Sequence, residues 1–326
     1  MIDLGLTVLG IVLLLAGGSA LVKGASELAA GYGVSPLVVG LTVVAFGTST
    51  PELVVNVIGA SRGATDIAFG NVVGSNISNL ALVLGAAALM HPIAVQSQII
   101  RRELPLLLLA TLAITVMALD GVLEGTESVI GRSDSLILLL LLGIFIYISI
   151  LDLLRARPSD PLLRELDEHG IEKPQGSRLL LFGFVLVGTA LLYVGGELTV
   201  TRGSAFAASV GVSPTIIGLF VVAIGTSLPE LITSIIAATR RESDLALGNV
   251  IGSNLFNSLA VLPASGLIAR IPVDWNGIVD LMFSLGLAVV LVPLFLIGRG
   301  ELGRLSGALL VSAYVGYAVF RIAGAT

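Results

Sequence analysis

The sequence predicts an all-α polytopic membrane protein. Ten transmembrane helices form two inverted five-helix repeats, with discontinuous helices around a central polar site. Three observations predict this. Charged residues make up only 12% of 326 residues, about half the usual share of roughly 25% in soluble domains. Apolar runs such as 104–119, 136–154 and 179–193 approach the roughly 20 residues that span a bilayer. A long segment also recurs in register within the chain, and the residues it repeats are polar ones that lipid does not favour.

The expected helices run in order. The first, 4–23, follows Met-Ile-Asp without a positive flank and reads as a retained helix rather than a cleaved leader. The next two, 35–60 and 66–90, carry the polar motifs. Two apolar helices, 102–119 and 134–154, complete a first repeat, 1–154. The stretch 155–177 holds Asp160, Arg164, Glu165, Asp167, Glu168, His169, Glu172 and Lys173, a composition that stays in water and reads as a linker loop. The second repeat, 178–326, contains helices at 178–200, 213–238, 244–268, 276–297 and 304–321. With both termini outside, the inner loops carry 12 of the 17 Lys and Arg and the outer loops 5, which makes 155–177 cytoplasmic.

Residues 40–85 align with 218–263 at a constant offset of 178 without gaps, and 25 of 46 positions are identical. Shared lipid exposure matches apolar with apolar; here Gly, Thr, Ser, Pro, Glu, Asn and Asp match. Upstream, Gly17-Gly18 and Pro36 stay in register with Gly195-Gly196 and Pro214. An odd number of helices per repeat sends the second copy through the membrane in the opposite sense, the arrangement of secondary transporters that bind at the midplane between copies.

The first motif is Gly47-Thr48-Ser49-Thr50-Pro51-Glu52; its twin is Gly225-Thr226-Ser227-Leu228-Pro229-Glu230. Each proline lacks an N–H and crowds the carbonyl four residues back, so each helix breaks or kinks mid-membrane. The freed carbonyls then need protein, water or an ion. Helical spacing places Thr48, Ser49 and Glu52 on one face, and likewise Thr226, Ser227 and Glu230. Carboxylate, hydroxyl and carbonyl are hard oxygen donors suited to Na⁺ and Ca²⁺. The second motif, 70–79, and its twin, 248–257, put Ser75 with Asn79 and Ser253 with Asn257 on facing helices. An acid at a helix centre in lipid costs about 2.5–3.5 kcal/mol. Glu52 and Glu230 have no Lys or Arg at a matching depth, so the counter-charge comes from mobile cations. One Ca²⁺ neutralises both; more than two Na⁺ overcompensate, making exchange electrogenic.

The paired GTSxPE and GNVxGSNxxN motifs resemble the alpha repeats of the cation/Ca²⁺ exchanger superfamily, and within it the microbial Na⁺/Ca²⁺ exchanger branch. The resemblance implies a Na⁺/Ca²⁺ antiporter in the inner or plasma membrane of a prokaryotic cell, working as a monomer without cofactor or nucleic acid. It makes Glu52 and Glu230 central ligands. Thr48, Ser49, Thr226 and Ser227 would supply hydroxyl or carbonyl oxygens, and Ser75 and Ser253 the facing hydroxyls. Asn79 and Asn257 would flank the site, and Ala45 and Ala223 would offer carbonyls to outer Na⁺ sites. Helices 4–23 and 178–200 would slide across the core to alternate access. Some members carry Asp where Asn257 stands, K⁺-cotransporting branches among them, which argues against K⁺ dependence here. Ser78 departs from the Phe found at Phe256.

Two other readings compete. A H⁺/Ca²⁺ exchanger would use the same glutamates as proton carriers. An intramembrane hydrolase is disfavoured: Ser49 and Ser227 lack a base, because His91 and His169 lie outside both motifs, there is no Cys, and the paired acids are Glu rather than Asp. Asp66 and Asp244 read as N-caps, Asn71 and Asn249 as either interhelical hydrogen-bond partners or ion contacts, and Glu27 and Glu197 as interfacial.

Overall fold

The computed structural model describes residues 2–63, 65–123, 125, 127–155, 177–210, 225, 227–298 and 300–323. The regular structure of these residues is helical apart from four two-residue strands. Helix α1, Ile2–Tyr32, outruns its expected end by nine residues. Lys23 does not stop it, because its ammonium lies 3.9 Å from Glu27 one turn on and 5.3 Å from the Phe184 ring centroid. Gly33, at φ 65°, ends it. Ser35 then caps the next helix, its hydroxyl accepting from the Leu37 amide at 3.2 Å, with Pro36 in the first turn.

That helix, α2 (Pro36–Thr48), is bent 46° from α3 (Thr50–Ser61) across Ser49. Helix α4 occupies residues 65–90 with a π-helical turn at Ser78–Val83. Residues 99–117 form α5, whose first turn, Ile99–Glu103, is also π-helical. The first half closes with α6, Arg132–Arg155. In the second half, α7 is Arg178–Ser209, α8 Leu228–Thr239, α9 Ser243–Ile268, α10 Trp275–Ile297 and α11 Arg304–Ala323. Within α9 the π-helical turn recurs at Asn257–Val261, 178 residues after its counterpart.

Seven of the described helices are long and apolar enough to cross a membrane, and the bent α2–α3 pair makes an eighth. Two of the ten expected spans fall outside that count. The apolar α-helical part of α5 has only 14 residues, and the expected helix 213–238 has 213–224 and 226 outside the described residues. The linker at 156–176 also lies outside the described residues.

The layering is the reverse of a soluble protein's. The polar-motif helices are innermost: the spans in α4 and α9 are 78% and 100% buried, against 11% for α11. Lipid accepts the apolar outer helices, while amides and hydroxyls need protein partners. Outside this core, α1 and α7 run antiparallel with their backbones in contact. Gly10 faces Gly195 and Gly17 faces Gly188; a Cβ added at Gly17 would sit 2.8 Å from the Gly188 carbonyl oxygen. Only glycine permits that approach.

Two antiparallel strand pairs clip the halves together. Strand β1 (Ile93–Ala94) pairs with β4 (Glu301–Leu302), and β2 (Val129–Ile130) with β3 (Ile271–Pro272). Each pair joins a loop of the first half to a loop of the second, and β3 lies 178 residues after β1.

Candidate cation site

Both helix breaks have the same backbone. Ser49 has φ −92°, ψ 6° and Ser227 φ −90°, ψ 7°, each just before a helix with proline in its first turn. The break arises because Pro51 and Pro229 cannot donate a helical hydrogen bond. Each break places a glutamate in the first turn of a new helix, Glu52 in α3 and Glu230 in α8. There the helix dipole favours negative charge. Both side chains are buried, Glu52 at 1% and Glu230 at 0% exposure.

The two carboxylates are neighbours. Ser49, three residues before Glu52, donates its hydroxyl to Glu230 Oε1 at 2.9 Å, and Glu230 is close enough to repel Glu52 electrostatically. Neither makes an ion pair among the described residues, and neither faces lipid. The undescribed stretch between α7 and α8 contains no Lys, Arg or His.

Thr48 Oγ1 lies 3.1 Å from Asn249 Oδ1, 3.4 Å from Ser253 Oγ and 3.3 Å from the Ala45 carbonyl. The Ala45 carbonyl also accepts the Ser49 amide at 3.0 Å. Ser75 and Ser253 are buried on α4 and α9. The π-turn holding Asn79 packs against α8, the helix of Glu230; the turn holding Asn257 packs against α3, the helix of Glu52. Among the described residues, both oxygens of Glu52, Glu230 Oε2, Ser75 Oγ, Ser227 Oγ, Asn79 Oδ1 and both polar atoms of Asn257 are buried without a hydrogen-bond partner. Buried polar atoms are otherwise almost always paired, so these expect a ligand. No three acidic, His or Cys side chains converge among the described residues; any cation held here is completed by neutral oxygens. Thr226 and Ala223 lie outside the described residues.

The sequence reading missed part of the surroundings. Asn249 Nδ2 donates to Ser234 Oγ at 2.9 Å, and Asn71 Nδ2 donates to Asn56 Oδ1 at 2.7 Å. Asn71 and Asn249 are interhelical partners, the first of the two roles open to them. Asn56 and Ser234 were detectable: they are equivalent at the repeat offset and each lies one turn beyond its glutamate. Asn76, joined to Ser258 at 2.9 Å, and Asn254 are likewise buried polar groups of the second motif. One expectation is corrected: Asp244 is not an N-cap. Glu242 occupies that position without a side-chain cap bond, and Asp244 accepts from Gln96 at 2.5 Å instead. The side chain of Asp66 is outside the described set.

A helical membrane protein with related halves, broken helices and two facing acids that nothing among the described residues neutralises belongs to the class of secondary transporters. Comparison with known proteins narrows the class. The family model for sodium/calcium exchanger proteins matches residues 2–151 and 180–323, and the chain belongs to that family: it is a membrane antiporter, not an enzyme. It is 39% identical over 317 residues to the putative antiporter CaxA of Alkalimonas amylolytica, covering 94% of this chain and 95% of the relative. It is 32% identical over 338 residues to the sodium/calcium exchanger MaX1 of Methanosarcina acetivorans, covering 95% and 96%. A solved structure of the sodium-calcium exchanger NCX_Mj, soaked with Na⁺ and Sr²⁺, superposes with TM-score 0.82 at 28% identity, covering 100% of this chain and 98% of that one.

Proposed function

We propose that this chain exchanges Na⁺ for Ca²⁺ by alternating access, both ions competing for oxygens between Glu52 and Glu230. The observation that carries the reading is the pair of buried, adjacent carboxylates without a cationic partner among the described residues. Two anions at this depth are stable together only with a cation or protons between them. Ca²⁺ takes six to eight oxygens. Glu52, Glu230, Thr48, Ser49, Ser227, Ser75, Ser253, Asn79 and Asn257 are the supply, with Thr226 and the Ala45 and Ala223 carbonyls assigned by resemblance. Hydroxyl- and amide-rich surroundings suit Na⁺ as well, which favours Na⁺ over H⁺ as the coupling ion.

The strand pairing supports ten spans in two inverted repeats, 1–154 and 178–326, joined by the 155–177 linker. With ten spans and both termini outside, the loops of β1 and β4 both fall inside and those of β2 and β3 both outside, as each pairing requires. The test is Ca²⁺ uptake into proteoliposomes under imposed gradients. The reading expects outward Na⁺ gradients to drive uptake and to carry net charge. Uptake driven by a pH gradient and indifferent to Na⁺ would make the chain a H⁺/Ca²⁺ exchanger instead.

A further inference from the structure

The two halves are equivalent in sequence but not in posture. A Cβ added at Gly18 of α1 would meet Ile236 Cδ1 at 2.9 Å and Ile232 Cγ2 at 3.0 Å, so α1 is pressed onto α8. The equivalent Gly196 of α7 would face Val54 and Ile58 in that scheme, yet among the described residues its nearest neighbour is Pro229 Cγ at 3.8 Å. Between α7 and α3 lies instead a groove of about 790 Å³ that reaches Phe46, Pro51, Val54, Val185 and Tyr193.

At the pressed contact, Arg240, which ends α8, donates to the Ser19 carbonyl at 3.3 Å and to the Ser19 hydroxyl. The repeat offset of 178 carries Arg240 onto Arg62 and Ser19 onto Glu197. Arg62 ends α3 as Arg240 ends α8. Arg62 makes no ion pair among the described residues. Among the described residues, Glu197 accepts only from Thr201, at 3.2 Å, at the edge of a 110 Å³ pocket lined by Pro51, Val54, Gly225 and Pro229. Where one half has a closed arginine contact, the other has its two members apart and oppositely charged.

We infer that Arg62 and Glu197 form the latch of the opposite conformation: when α1 and α7 shift together so that α7 presses on α3, the ion pair closes and the Arg240–Ser19 contact opens. The inference rests on the alternating-access reading. It follows from the inverted repeat, because the second conformation places α7 on the first half as α1 now sits on the second. The two latches differ in kind. One is arginine on hydroxyl and carbonyl, the other an ion pair weakened by salt.

The chain has no cysteine, so paired substitutions report cleanly. Arg62→Cys with Glu197→Cys is oxidised in proteoliposomes, and a protease site in the linker is then cut. The halves are expected to remain joined, with exchange blocked until reductant is added. Ser19→Cys with Arg240→Cys, already in contact, is the folding control. In flux assays, Arg62→Glu and Glu197→Arg alone are expected to slow turnover by up to about fivefold, and the two together to recover it. Halves that separate for the first pair while the control pair joins would overturn the latch, as would a charge exchange no better than either single change. The crosslink needs no flux, so its failure is distinct from failure of the exchanger reading, which wild-type uptake decides.

Discussion

Glu52 and Glu230 occupy the same place in two copies of one motif, yet their surroundings differ. Glu230 Oε1 receives the Ser49 hydroxyl across the interface between halves, whereas neither oxygen of Glu52 has a donor among the described residues. In the second motif, Asn249 bridges Thr48 of the opposite half and Ser234; among the described residues, Asn71 pairs with Asn56 of its own half. Two equal copies have settled into unequal roles in one conformation. Glu230 belongs to a preorganised wall, and Glu52 is the carboxylate left open. A sequence duplicated in register defines two half-sites; only their packing decides which of them is held and which waits.

That contrast can be broken most severely at the acids. Glu52→Gln and Glu230→Gln should each lower Na⁺-driven Ca²⁺ flux by about two orders of magnitude or more, as removal of one partner from a buried charged assembly does, with membrane insertion intact by detergent extraction and size-exclusion profile. The hydroxyls come next. Ser49→Ala removes a hydrogen bond to a charged group, a loss of roughly 1.5–3 kcal/mol, and should weaken Ca²⁺ binding about tenfold or more in equilibrium isotope binding. Ser227→Ala, which removes no existing bond among the described residues, should have a smaller effect; equal effects would erase the distinction between the two walls. Asn249→Leu unties Thr48 from Ser234 and should cost severalfold in apparent Ca²⁺ affinity, read from the concentration dependence of uptake; Asn71→Leu should cost less. The smallest effect is expected at Asn257→Asp. A third acid, on the turn packed against the helix of Glu52, should shift the pH dependence or ion preference of transport, and a variant indistinguishable from wild type would place that side chain outside the ligand set.

Much of this was legible in the sequence because lipid is a strict solvent. Proline and glutamate at mid-span have few explanations, and their recurrence after 178 residues removes chance. The breaks at Ser49 and Ser227 and the burial of both acids follow from that alone. What the sequence hid is what symmetry cannot express. The unequal bonding of Glu52 and Glu230, and the pressing of α1 on α8 but not of α7 on α3, are properties of one conformation. The π-turns that carry Asn79 and Asn257 were also hidden, because a single inserted residue leaves an apolar pattern almost unchanged. The extension of α1 past Lys23 depended on a contact with Phe184, far along the chain.

The central claim is that a cation sits between Glu52 and Glu230, and equilibrium binding of radioactive Ca²⁺ to the purified protein tests it without reference to flux. The account predicts saturable binding displaced by Na⁺ but not by K⁺, and lost in Glu52→Gln. Calcium binding that survives that substitution unchanged, or that ignores Na⁺, would contradict it.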